Sequence, residues 1–195
     1  LYPYYYYVYS LYSMRYFIYT ITSLLFLSCT PNNIKREYEQ LKSNRIIIPD
    51  YEYAMIKGRD TLVSDCFHEK LKLIVFTDST SCNSCSIENI YDWSALINHA
   101  EQYDNQLCFY FIFTPKKIDI EDVKFSLTHT DFDYPLILDT LGIFRNMNPH
   151  IPENKLFHTI LLDENNQVIM IGSPLHNSKV RELLEDIVKE NLDKA

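Results

Sequence analysis

The chain has 195 residues, with 47% hydrophobic and 23% charged side chains, which is globular composition and excludes a disordered chain. A formal net charge of -8 provides no basic face for a nucleic acid. Three glycines and the absence of GxGxxG or GxxxxGK[ST] exclude the common phosphate-cradling loops.

The first 28 residues differ in kind from the rest. Nine of the 16 tyrosines lie there, and Arg15 is the only charged residue. A spanning helix would hold Arg15 mid-membrane at a cost of roughly 2.5 kcal/mol or more. The better reading starts at Met14: Met14-Arg15 is a short positive region, and Tyr16 to Leu27 is an apolar run of signal-peptide length. Phe26-Leu27-Ser28-Cys29 then resembles a bacterial lipobox, with Phe26 where leucine is usual. That makes 1–28 a signal segment, and 1–13 either sequence upstream of the start or an unusual extension. Cys29 becomes the lipidated N-terminus, anchored to a membrane by more than one acyl chain. A plain signal anchor with an incidental cysteine is the alternative.

Residues 29–44 read as a tether and a short helix, Asn33 to Ser43, with Ile34, Tyr38 and Leu41 on one face. Arg45 to Ile48 is strand-like and ends at Pro49. Tyr51 to Ile56 and Asp60 to Val63 flank Lys57-Gly58-Arg59, a hairpin pattern. Leu71 to Thr77 is a buried strand, Asp78 to Ser81 a polar loop with Asp78 solvated, and Cys82 to Gln102 a helix. Ile87, Ile90, Tyr91, Ala95, Leu96 and Ala100 lie near that helix's inner face, and Trp93 is a core anchor.

Leu107 to Phe113 is a second apolar strand, which makes Cys108 a packed core thiol. Asp119 to His129 is a helix with Ile120, Val123, Phe125 and Leu127 as apolar contacts. Pro135 to Asp139 is a third strand, and Leu141 to Met147 a short helix. Phe157 to Leu162 and Gln167 to Ile171 are strands joined by a turn at Asp163 to Asn166. Ser178 caps a final helix to Asn191, with Val180, Leu183, Leu184, Ile187 and Val188 on its apolar face and Glu182, Glu185, Asp186 and Glu190 solvated. Strands alternating with helices give an α/β layered fold with a partly parallel sheet, and the hairpin adds antiparallel strands.

The sharpest chemical signal is Cys82-Asn83-Ser84-Cys85, a CxxC between a buried strand and a helix start. A helix N-terminus favours a thiolate. Cys82 is therefore the nucleophile and Cys85 the resolving thiol. The scattered histidines lack metal-site spacing. One of them, His158, could complete a copper(I) site with the pair, and an inert disulfide is also open. No cofactor or metal is assigned. Cys66 reads as a half-buried thiol.

These pieces resemble the thioredoxin-like family, in the TlpA-like and peroxiredoxin-like branch of envelope proteins. The strand–CxxC–helix run Val75 to Cys85, the segment Asp133-Tyr134-Pro135-Leu136-Ile137-Leu138-Asp139 and the hairpin Thr159 to Asp163 with Gln167 to Ile169 carry the resemblance. It implies a thioredoxin-like three-layer sandwich with a mixed sheet over 45–195, preceded by the signal segment, a short helix and a hairpin. It also implies a lipid-anchored thiol–disulfide oxidoreductase of the bacterial envelope, facing the periplasm, with protein thiols or disulfides as partners and no nucleic acid. A non-catalytic thioredoxin-fold lipoprotein serving as a binding or structural module is the alternative.

The chain departs from the family at several positions. Ser81 replaces the tryptophan before the first cysteine, and Asn-Ser replaces Gly-Pro between the two. Phe76 replaces a buried acid, Leu156-Phe157-His158 stands where a cis-proline is usual, and no PxxxTxxC of the peroxidase variant is present.

Overall fold

The computed structural model describes residues 31–62, 69–78, 87, 89–103 and 106–192. The chain divides into two compact units, residues 1–37 and 38–195. Of the first, the described part is the opening of helix α1 (Pro31–Lys42). The expected signal segment, Cys29, Cys66, Cys82 and Cys85 lie outside the described residues. Among the described residues no helix is long and apolar enough to cross a membrane.

Two strongly apolar runs form the centre of the second unit. β3 (Leu71–Thr77) and β4 (Leu107–Phe113) pair in parallel over seven rungs, from Leu71 opposite Leu107 to Thr77 opposite Phe113. Strands covered on both faces carry continuous rather than alternating hydrophobicity, and β4 is buried at every position. β5 (Leu136–Leu138) adds in parallel beside β4, and β6 (Thr159–Leu162) antiparallel beside β3. β7 (Val168–Ile171) follows β6 as the hairpin partner. The hairpin of β1 (Tyr53–Ile56) and β2 (Arg59–Leu62) joins through Met55 opposite Leu136. The seven-stranded order is β2-β1-β5-β4-β3-β6-β7.

Side-chain alternation splits the core in two. On one face Leu71, Leu73, Phe109 and Phe111 meet Trp93, Val123, Leu127, Leu184 and Val188. These come from the turns around α2 (Ser94–Ala100), from α3 (Ile120–Thr128) and from α5 (Ser178–Leu192). On the other face Ile74, Phe76, Tyr110 and Ile112 meet Leu41, Ile46, Phe157 and Phe144, the last from α4 (Ile143–Met147). Phe111 is fully buried, with Trp93 edge-on at 5.7 Å and Phe132 at 5.2 Å. Burying such a ring contributes about 1.5–3 kcal/mol. A parallel β–α–β unit followed by a β-hairpin and a closing helix, with the hairpin on the far side of the first strand, is a thioredoxin-like fold. The sheet is mixed and the layers are three, as expected.

Several elements differ from the sequence reading. Arg45 to Ile48 is not a strand. Arg45 makes one isolated bridge to Gln167, and Ile46 N–H donates to the Asn166 carbonyl. The N–H and carbonyl of Ile47 are both taken by the Asn148 side chain, at 2.8 and 2.7 Å. An amide side chain has replaced a ladder.

The single helix expected up to Gln102 is, over its described part, a 3-10 turn (Ile90–Trp93), α2 and a second 3-10 turn (Glu101–Tyr103). That arrangement turns Ile90, Trp93, Ile97 and Ala100 inward and leaves Tyr91 exposed. Phe125 is also exposed, because Val123 and Leu127, four residues apart, hold the buried face of α3. On α5 the buried positions are Leu184, Val188 and Leu192, and Leu183 is half exposed.

Candidate active site

β3 delivers the chain to one end of the sheet at Thr77 and Asp78. Thr77 N–H is committed to the ladder, and its carbonyl accepts from Thr114 N–H at 2.8 Å. Beyond Asp78 the chain passes through 79–86, which carries Cys82 and Cys85 and lies outside the described residues. It returns at Ile87, buried among the helix-side core, and at Asn89 and Ile90. Val75, Phe76 and Thr77 before that segment, and Asn89 and Ile90 after it, line one cavity of about 360 Å³. Lys155 and His158 before β6, Thr159 at its start, and Ser173 and His176 after β7 also line it.

Asp78 corrects the sequence reading: it is buried, at 8% exposure, rather than solvated. Its Oδ2 lies 3.4 Å from Arg145 Nη2. The guanidinium is itself built in place. Its Nη1 donates to the Ile151 carbonyl, and its plane sits over the Phe76 ring at 5.0 Å. α4, which carries Arg145, is fixed by a carboxylate at the end of β5. Asp139 Oδ1 and Oδ2 accept from Ile143 N–H and Phe144 N–H, both at 2.8 Å, and Tyr51 OH donates to Oδ2 at 3.2 Å. Burial first, and the Asp139 charge second, push the Tyr51 phenol well above its ordinary value, so it stays a donor.

His158 is also buried at this end, at 5% exposure. Its ring tilts against Phe76 at 5.2 Å, and its carbonyl accepts from Phe76 N–H at 2.8 Å. Nε2 lies 3.0 Å from the Pro152 carbonyl and 3.4 Å from Arg145 Nη2. A carbonyl only accepts, so the shorter contact places the proton on Nε2 and leaves Nδ1 with its lone pair. Burial holds the imidazole below the usual histidine range. The Pro152 bond and Asp78 oppose that shift, and Arg145 and Lys155 add to it. The ring is therefore neutral at pH 7.

The run Leu156-Phe157-His158 stands where a cis-proline was expected to be missing, and the described residues contain no cis peptide bond. The loop is rebuilt as a 3-10 turn (Lys155–Phe157) with the Asn154 side chain accepting from Leu156 N–H at 3.1 Å. Among the described residues no group of three or more His, Cys, Asp or Glu side chains could hold a metal ion; the copper(I) alternative involves Cys82 and Cys85, which lie outside them.

Cys108 is a second correction: it is half of a disulfide, not a free core thiol. It is the one cysteine among the described residues, so its partner lies outside them. The buried Asp78–Arg145 pair and the His158 contacts carry no local sequence signal. Arg145 is 67 residues from Asp78, and only the fold joins them.

No protein-family model and no curated protein sequence matches the chain. Among solved structures it is similar to peroxiredoxin Q of Xanthomonas campestris, with 15% identity and a TM-score of 0.49 over 76% of this chain and 99% of that one. It is similar to a candidate thiol:disulfide interchange protein DsbE of Chlorobium tepidum, with 13% identity and a TM-score of 0.48 over 74% and 94%. It is also similar to a candidate protein disulfide isomerase of Bacteroides thetaiotaomicron, with 16% identity and a TM-score of 0.48 over 76% and 89%. The strand order, with its parallel β–α–β core and closing hairpin, gives the chain a thioredoxin-like fold.

Proposed function

We propose that the protein is a membrane-tethered thiol–disulfide oxidoreductase of the bacterial cell envelope. In the reducing direction Cys82 attacks a partner disulfide and Cys85 resolves the mixed disulfide; in the oxidising direction a partner thiolate attacks the Cys82–Cys85 disulfide at Cys82; a lipid on Cys29 holds the chain on a membrane facing the periplasm. One observation carries the reading. The chain enters the CxxC segment from Thr77 and leaves it at Asn89, and both flanks line one cavity at the end of the central strand. Two thiols three residues apart have a high effective concentration for each other, which disulfide exchange requires.

The test is to titrate Cys82 with an alkylating agent against pH in the full chain. A Cys82 pKa well below the free-thiol value of ~8.5 supports the enzyme. An ordinary or raised value leaves a non-catalytic module. A Cys85→Ser variant expressed in a Gram-negative cell is expected to accumulate mixed disulfides with partner proteins, and none would count against catalysis. Mass spectrometry of the mature N-terminus is expected to show an acylated Cys29, and an intact 1–28 segment would remove the lipid anchor.

A further inference from the structure

We infer that the crevice between α2 and α5 binds a free α-amino acid with a medium-sized apolar side chain. It holds the side chain between the helices and the charged head group between Arg181 and Glu185. The site is separate from the cavity beside the CxxC segment. Leu107, in its lining, opens β4 opposite Leu71, at the far end of that strand pair from Thr77 and Phe113.

The crevice exists because α2 presents small side chains there. Ala95 and Ala100 line it from α2, and their methyl groups leave the gap toward α5 unfilled. Leu96, Leu107, Leu184 and Val188 supply the rest of an apolar lining, around a volume of about 260 Å³. A cavity of ~150 Å³ lined by such side chains holds benzene, so this one has room for about ten non-hydrogen atoms, the size of leucine or methionine.

The charges at its mouth choose the head group. Arg181 and Glu185 both line the crevice, one turn apart on α5. No ion pair joins them. An arginine four residues before a glutamate is the weaker order for a helical pair. Arg181 is also drawn the other way, since its Nε donates to the Pro174 carbonyl at 3.3 Å. That bond fixes one edge of the guanidinium and leaves its terminal nitrogens to a ligand. Glu185 has no hydrogen-bond or ion-pair partner among the described residues. Arg181 stands in the first turn of α5, where the helix dipole disfavours a cation and no acidic residue offsets it, so helix stability does not account for it. An α-amino acid carries a carboxylate for the guanidinium and an ammonium for Glu185 on one carbon, with its side chain free to enter the crevice. A simple fatty acid would set its carboxylate beside Glu185, and a simple amine its ammonium beside Arg181.

The experiment is calorimetric titration of the full chain with L-leucine. Three controls each lack one part of it: isocaproate the ammonium, isopentylamine the carboxylate, and glycine the side chain. Leucine is expected to bind saturably, one to one, and each control at least about ten-fold more weakly. Glu185→Gln is expected to bind leucine no better than isocaproate, and Arg181→Gln no better than isopentylamine. Ala95→Leu, at an exposed position, fills the crevice and is expected to abolish binding with both charges in place. No saturable binding at millimolar leucine overturns the inference. Isocaproate or isopentylamine binding as well as leucine overturns it too, because the site would then read a single charge. Leucine binding unchanged in Ala95→Leu places the ligand elsewhere and overturns the site. The comparison of ligands uses the natural chain alone, so it decides the matter even if a variant fails to fold.

Discussion

His158 and Asp78 are both buried at the same end of the sheet, and their partners rather than their access to solvent set them apart. Asp78 keeps a guanidinium at 3.4 Å, and His158 keeps a carbonyl at 3.0 Å and no counterion. The neutral imidazole therefore has a stability consequence. Its folded pKa lies below the ordinary ~6.5, so between the two values the unfolded chain binds more protons than the folded one. Stability is full above pH ~6.5 and falls as pH drops below it, by at most about 1.4 kcal/mol per pH unit for one group. His150, also lowered by burial, acts in the same direction. Denaturant midpoints at pH 7.5 and 5.5 are expected to differ in the natural chain and to differ less in His158→Gln. An unchanged pH slope in the variant would show that His158 titrates alike in both states. Such groups were hidden in the sequence because burial and long-range pairing made them. Asp78 looks like a loop carboxylate until Arg145, on another helix, is brought to it. Asp163 was legible because its partners are local: its Oδ1 accepts from Asn165 N–H at 2.9 Å and Gln167 N–H at 2.8 Å.

At the scale of elements, the local rules that succeed are those with a local cause. The Lys57-Gly58 turn has φ of 49° and 72°, a two-residue turn of the primed type that matches strand twist. Gly58 is required twice over, since a Cβ there would come within 2.3 Å of Thr128 Cγ2. The central strands β3 and β4 appear within their expected bounds because uninterrupted apolar runs have few other uses. Arg45 to Ile48 shows the opposite case, a strand-like run whose backbone partners are a turn and one asparagine side chain. α5 starts at Ser178 as expected, but its cap lies one residue earlier. Asn177 Oδ1, not Ser178, accepts from Lys179 N–H at 3.0 Å and from Val180 N–H at 3.3 Å. Both residues are good caps by type, and only backbone geometry chooses between them. Asn177→Ala is therefore expected to cost about 1 kcal/mol, and Ser178→Ala a few tenths. Thermal melting checks the pair. A larger loss in the serine variant would return the cap to Ser178.

At the scale of the whole molecule, Cys108 sits at the far end of the central sheet from the point where β3 hands the chain on toward the CxxC. Cys108 lies opposite Lys72, five rungs below the Thr77–Phe113 pair from which the chain runs toward Cys82 and Cys85. Five rungs at about 3.3 Å each put it roughly 16 Å down the strand. For Cys82 to reach it, the four residues after Asp78 would have to run back almost fully extended, even allowing up to about 6.8 Å between bonded Cα atoms. Cys85 stands two residues before Ile87, which is buried on the face opposite Cys108. A lipidated Cys29 has no free thiol, so the disulfide at Cys108 is expected to use Cys66 and to leave the CxxC thiols to each other. Cys66 is the nearer in chain to this end of the sheet. It is three residues from Glu69, whose charge is felt by Tyr134, and the Tyr134 OH lies 4.0 Å from Cys108 Sγ. Digestion without reductant, after blocking free thiols, is expected to yield the Cys108 peptide joined to the Cys66 peptide, with Cys82 joined to Cys85 or both alkylated. Recovery of Cys108 linked to Cys82 or Cys85 would mean that the pair cannot cycle as an independent dithiol. A bond at Cys108 separate from the CxxC would instead make it a structural staple, of the kind that persists in an oxidising compartment such as the envelope.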